Sequence, residues 1–290
     1  MDPPSDWLDG AVDIHVHAAP SVFPRWGDAA AVAAACRSAG MAGIVLKSHE
    51  GSTVESAAIL SRTDAPLRVA GGVVLNHAVG GLNPAAAEMA LRLGARVVWL
   101  PTVDADGHVE AYGATGSYPA QSGGVRGAEP LRLLGEAGRP LPALVEIAAL
   151  CRDHDACLAT GHASAAALPA VQALARELRL ERLLLQHPLL AVPGLAPAAV
   201  VELADGGGVV ELTYLSVSPM WCETTVAACA EVARRLGPER IVLSSDAGQL
   251  HNPAPPEALR AFAQSIHEAG VPAPDVRRML GETPAGILAW

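Results

Sequence analysis

Ten histidines stand in this chain of 290 residues, and their spacing is where its chemistry is most legible. The sharpest motif is Asp13-Ile14-His15-Val16-His17. Side chains alternate along an extended strand, so His15 and His17 point to one side, roughly 6–7 Å apart. Two imidazoles so placed can converge on one cation, with metal–nitrogen distances of about 2.0–2.1 Å. An H-x-H alone is a weak signal. It gains from Thr160-Gly161-His162, Gln186-His187-Pro188 and Ser244-Ser245-Asp246-Ala247-Gly248, each closing its own β-rich run. Together His15, His17, His162, His187 and Asp246 make a nitrogen and oxygen donor set suited to a divalent transition metal, zinc first, with manganese or iron as alternatives.

Converging those residues requires elements that bring distant strand ends to one place. Short β-rich runs recur at residues 11–17, 43–49, 69–76, 96–103, 157–162, 182–187, 208–214 and 241–246. Between them lie stretches with helical spacing, among them residues 28–39, 84–93, 141–154, 169–178 and 223–236. Eight strands alternating with helices predict a parallel sheet, and the count of eight predicts closure into an α/β (β/α)8 TIM barrel. No Gly-rich phosphate fingerprint follows the first strand, which disfavours an open doubly wound sheet. The predicted unit is one domain over residues 1–290. Residues 106–140, rich in Gly, Pro and Ser, read as a long loop after strand four, on the catalytic side of the barrel. In a barrel the C-terminal strand ends form one mouth, where His49 and His77 also fall.

Composition excludes several classes. Hydrophobic residues are 51% and charged residues 17%, enough apolar surface for a large core. The formal charge of -10 and the lack of a basic patch argue against nucleic acid or an anionic membrane as partner. Five cysteines, with no C-x-x-C, argue against a disulfide framework or zinc knuckle. The first residues lack the features of a signal peptide, so a soluble, cytoplasmic protein acting on a small molecule is expected, with dimerisation left open.

On the strength of these motifs the chain resembles the amidohydrolase superfamily of metal-dependent hydrolases, as an uncharacterised branch. That superfamily carries H-x-H on strand one, single histidines on strands five and six and an aspartate on strand eight, matching His15/His17, His162, His187 and Asp246. The closing run Gly281-Glu282-Thr283-Pro284-Ala285-Gly286-Ile287-Leu288 is similar to its final helix. The resemblance implies hydrolysis of an amide, cyclic imide, lactone or ester by a water that the metal acidifies, with one or two ions. Asp246 would be the general base, and His187 or His49 would help polarise the carbonyl. One departure stands out: the superfamily's bridging lysine or glutamate is missing from strand four, while strand two ends Lys47-Ser48-His49.

Lys47 is the only lysine among 20 lysines and arginines. It shares a face with His49 and lies one layer deeper, where a buried amine loses its charge more readily than a guanidinium. It is expected to be essential, either as a carbamate bridging two metals or as a direct contact to substrate. Arg25, in the loop after strand one, is a candidate to hold a carboxylate by two hydrogen bonds, and Asn76, Thr102 and Tyr214 are candidates to line the pocket. Two other activities fit the same residues, a metal-dependent decarboxylase and a Schiff-base lyase using Lys47. A binding protein without activity fits less well, since each expected ligand position is filled.

Overall fold

The computed structural model describes residues 6–63, 66–119 and 121–290. Its strands are β1 (Val12–His17), β2 (Gly43–Lys47), β3 (Arg68–Ala70), β4 (Gly72–Val74), β5 (Val97–Trp99), β6 (Cys157–Ala159), β7 (Leu183–Leu185), β8 (Val209–Thr213) and β9 (Ile241–Ser244). They form two parallel ladders, β1-β2-β3 and β4-β5-β6-β7-β8-β9. β3 and β4 are one line of chain interrupted at Gly71, so the strand expected at 69–76 comes in two pieces. The cause is local crowding. A Cβ on Gly71 would lie 2.6 Å from the Thr53 carbonyl, and Thr53 N–H donates to Gly72 O at 3.0 Å. The circuit closes at its other end through a parallel bridge between Val16 and Ala247, where His17 N–H donates to Ala247 O at 2.8 Å. Eight strand positions thus run round the (β/α)8 barrel.

Helices form where the sequence supplies starts as well as apolar faces. Asp28 accepts from Ala31 N at 2.8 Å and opens Ala29–Ser38. Asn83 caps Pro84–Arg92, and Thr225 caps Val226–Leu236. Each such cap is worth about 1 kcal/mol. Residues 106–140 are not wholly loop. Asp106–Tyr112 is helical, with Asp106 in its first turn and Gly113 left-handed at its end (φ 87°). These are ordinary helix signals, too short a run to show as periodicity.

Alternation along the strands sorts the core into two bodies. Val98, Leu100, Leu158, Leu183, Leu185 and Leu212 pack outward against the helices. Val12, Ile14, Val45, Val97, Trp99 and Leu184 fill the barrel, closed below by Ile287 and Leu288 of the last turn. On β1 a register shift falls between Asp13 and Val16. It lets Ile14 point inward and Val16 outward while His15 and His17 still meet above the interior, which is how a bulge re-aims side chains near a site. Trp99 is fully buried in this interior, and truncating so large a side chain costs about 3–5 kcal/mol. Among the described residues no helix is long and apolar enough to cross a membrane, and all five cysteines are free, with only Cys222 exposed.

Candidate metal centre

Asp246 joins the β1 histidines from just beyond β9. Its Oδ1 lies 3.0 Å from His15 Nε2 and 3.2 Å from His17 Nε2, and the ligating atoms of the three residues lie within 4.8 Å of one another. Two backbone features make the approach possible. Asp246 holds a left-handed φ of 48°, and Gly248 leaves room beside β1, where a Cβ would sit 1.9 Å from His17 O. His187 likewise holds a φ of 25°. Left-handed backbone in residues other than glycine is uncommon and gathers at sites of function.

Hydrogen-bond partners that can only accept fix the protons. Glu211, fully buried on β8, takes the Nδ1 proton of His15 at 2.9 Å and the Ser244 hydroxyl at 2.6 Å. When the ring is neutral its lone pair is therefore on Nε2, the nitrogen that faces Asp246. On the opposite wall, His108 Nε2 donates to Ser117 O at 2.8 Å. Its Nδ1 then accepts from His162 Nδ1 at 3.0 Å, which frees His162 Nε2 as a donor to a cation. His187 rests its Nε2 on the Gln186 amide at 2.7 Å. His162 and His187 pack at 5.2 Å between ring centroids, and His187 and His15 at 6.1 Å. Of the five ligands read from the motifs, His15, His17 and Asp246 converge tightly, while His162 and His187 face them across the cavity.

Burial governs the charges. It pushes His17, His49 and His162 well below the usual imidazole range, and His187 down to about 4. These rings are neutral at pH 7, the state a cation requires. Burial also disfavours an ionised Asp246, but the adjacent His15 and His17 outweigh it and hold the carboxylate well below its usual range. Burial opposes a charge on His15 too, yet Asp246 and Glu211 together raise it. Lys47, buried above the Trp99 ring at 5.5 Å, is lowered to about 8 by desolvation. Its Nζ lies 3.0 Å from His15 Nε2. The donor set fits a divalent ion: two imidazole nitrogens and a carboxylate oxygen lie within 4.8 Å of one another, and the carboxylate of Glu211 behind His15 takes its Nδ1 proton.

The remaining expected residues fall differently. Arg25 and His49 line the cavity with the histidines. Asn76 and Thr102 sit behind His49: Thr102 Oγ1 bonds His49 Nδ1 at 2.8 Å, and Asn76 Nδ2 donates to Thr102 Oγ1 and to His49 O. They hold that ring rather than present groups to the cavity. Tyr214 is half-buried against the outer core and does not line the cavity, whereas its neighbour Leu215 does. His77 is exposed, its Nε2 on Glu129 O. The motifs did not reveal Glu211, His108, or that Gln121 and Trp221 line the cavity. Glu211 carried one readable sign, a carboxylate in the middle of a buried parallel strand.

Barrel and site together define the amidohydrolase fold with a histidine–carboxylate cluster at its mouth. Solved structures sharing the fold over nearly their whole length include an amidohydrolase from Pseudomonas aeruginosa (14% identity, 97% of this chain and 95% of that one, TM-score 0.61). Another is an amidohydrolase from Burkholderia multivorans with bound HEPES (16%, 96% and 99%, 0.56). A third is a triple mutant of an organophosphorus hydrolase from Deinococcus radiodurans (16%, 96% and 93%, 0.58). The chain belongs to a family described as a family of unknown function, DUF6282, matched over residues 10–211, a span that includes Glu211 but ends before Asp246. No curated protein matches it.

Proposed function

We propose that this chain is a metal-dependent hydrolase of a small-molecule amide, cyclic imide, lactone or ester, with Asp246 as general base. The observation that carries the reading is the convergence of His15, His17 and Asp246, all buried, with one ligating atom of each within 4.8 Å of the others. Relatives by fold described as an amidohydrolase and an organophosphorus hydrolase support hydrolysis. His15, His17 and Asp246 would hold the ion, with His162 and His187 opposite, and Lys47 as a further ligand or substrate contact. A divalent cation there supplies a Lewis acid that acidifies water and polarises an acyl oxygen. Zinc suits the donors best, with manganese or iron also compatible.

The chain's own residues do the rest. Asp246 Oδ1 is placed to take a proton from a nucleophilic water and return it to the leaving group. Glu211 keeps His15 in the tautomer that binds a cation, and His108 does the same for His162. Tyr118 and Trp221, whose rings meet at 5.3 Å and 90°, lie over the cavity and exclude bulk water. Lys47 beside His15 favours a role at the cation over that of an isolated imine-forming amine, since a dication so near stabilises the neutral amine without leaving it free.

Metal analysis of purified protein, followed by a panel of amides, imides, lactones, esters and carboxylic acids, tests the reading. Bound transition metal that disappears in a His15→Ala/His17→Ala double variant, with hydrolysis of one panel member, is the expected result. Equal metal content in both proteins would sink it. Carbon dioxide release from a panel acid would favour the decarboxylase.

A further inference from the structure

The cavity holds more positive charge than its ion site uses. Three charged side chains line it: Arg25, Lys47 and Asp246. Asp246 is committed to His15 and His17, and Lys47 to His15. Arg25 lies within the field of Glu50 and Asp246 but forms an ion pair with neither. Its Nε and Nη2 are buried and have no hydrogen-bond partner, and no carboxylate pairs with it among the described residues. Glu50, the carboxylate whose charge acts on it most, is occupied. Its Oε1 accepts from the Ser21 hydroxyl and Val22 N, and its Oε2 from the Ser48 hydroxyl. A guanidinium with two buried, unanswered N–H groups in a chain of net charge -10 is a costly arrangement unless an anion completes it.

The free atoms are the right ones. Nε and Nη2 form one edge of the guanidinium, whose two parallel N–H groups match the two oxygens of a carboxylate. Gln121, which lines the same cavity from the long loop after β5, adds a third buried donor without a partner, its Nε2. Arg25 is held in place by its backbone bridge to Gln249, three residues beyond Asp246, and by the Phe23 ring 5.6 Å from its guanidinium carbon. Its distance from the cation site is therefore set by the same segment that carries Asp246.

We propose that the substrate carries a carboxylate, gripped by Arg25 and Gln121 while its scissile bond lies at the histidine–Asp246 cluster. The inference rests on the hydrolase reading for the second half of that statement only. The anion site stands without it.

Isothermal titration of the full-length protein with matched probes tests it: succinate against succinamide, benzoate against benzamide, and methylphosphonate. Wild type should prefer each carboxylate over its amide. Arg25→Met should weaken carboxylate binding about 10- to 100-fold, as loss of a charged hydrogen-bonded pair implies. Gln121→Leu should weaken it about fivefold, Arg25→Lys should fall between, and the amides should be unaffected. Metal content measured on every sample separates the two readings. A metal-free wild type whose carboxylate preference still depends on Arg25 would remove the hydrolase reading and leave this one. A carboxylate preference retained in a folded Arg25→Met but lost in His17→Ala would place the anion on the metal and overturn it. So would no preference in wild type, or tighter binding of methylphosphonate.

Discussion

Replacing Glu211 by Gln alters one charge and almost no volume beneath His15, so it isolates what the buried carboxylate does. The variant amide can still accept from His15 Nδ1 and from Ser244 through its oxygen, at the positions now 2.9 and 2.6 Å away. What is lost is the charge. A hydrogen bond to a charged group contributes about 1.5–3 kcal/mol and a neutral one about 0.5–1.5, so the difference is about 1–1.5 kcal/mol. That corresponds to about a tenfold loss of zinc affinity, the lower end of what carboxylates behind metal-bound histidines contribute. The new NH2 replaces Oε2, which has no partner, so the apoprotein should also melt earlier. The pH dependence gives the sharper signature. Glu211 raises the His15 pKa, and His15 must lose its proton to bind metal. On acidification the wild type therefore suffers proton competition earlier than the variant. Zinc titration against a chromophoric chelator should show the largest affinity ratio at about pH 8 and a smaller one at about pH 6. Equal affinities at the higher pH, or a ratio that widens in acid, would refute the role given to Glu211.

Asp246→Asn should keep the fold and much of the metal but lower turnover of the panel substrate by about 10²–10⁴-fold. Steady-state kinetics within a few-fold of wild type would exclude Asp246 as the base. Lys47→Arg keeps the charge but forces a larger, permanently protonated group into a space 3.0 Å from His15 Nε2, so activity should be lost; an active variant with unchanged metal content would count against Lys47 as ligand or contact. Asp13, fully buried, is raised to about 7 by desolvation, so the metal-free fold retains a proton there that the unfolded chain releases near 4. Stability from this group therefore falls as pH rises from about 4 to about 7, by up to about 1.4 kcal/mol per unit, and urea denaturation of Asp13→Asn at several pH values should show that slope removed.

The barrel was legible because its strands are buried on both faces and read as apolar runs, separated by stretches with helical spacing. All eight strand positions fall where the runs do. The interruption at Gly71 was not legible, since it depends on Thr53 pressing in from another element. At the site, His15, His17 and Asp246 announced themselves by motif and strand-end position. Asn76 and Thr102 also lie at strand ends, but their side chains are spent on His49. Nothing in the sequence showed that Phe23 and Trp221 gather with Tyr112 and Tyr118 of the long segment after β5, because three different connections supply them. His108 hid in a segment whose composition spoke for loop. Its helix becomes meaningful only once His162 is opposite.

The left-handed backbone at His187 and Asp246 limits the alphabet open to anyone who randomises this site. Asn, Asp, His and Gly tolerate that conformation, whereas Val, Ile and Thr do not. A saturation library at these two positions would therefore add a backbone cost of about 1–2 kcal/mol to many members, and their inactivity would not report on chemistry alone. Diversity is better introduced at Leu190, Leu215 and Trp221, which line the same cavity from ordinary backbone and can reshape it without disturbing the turns that aim the cluster.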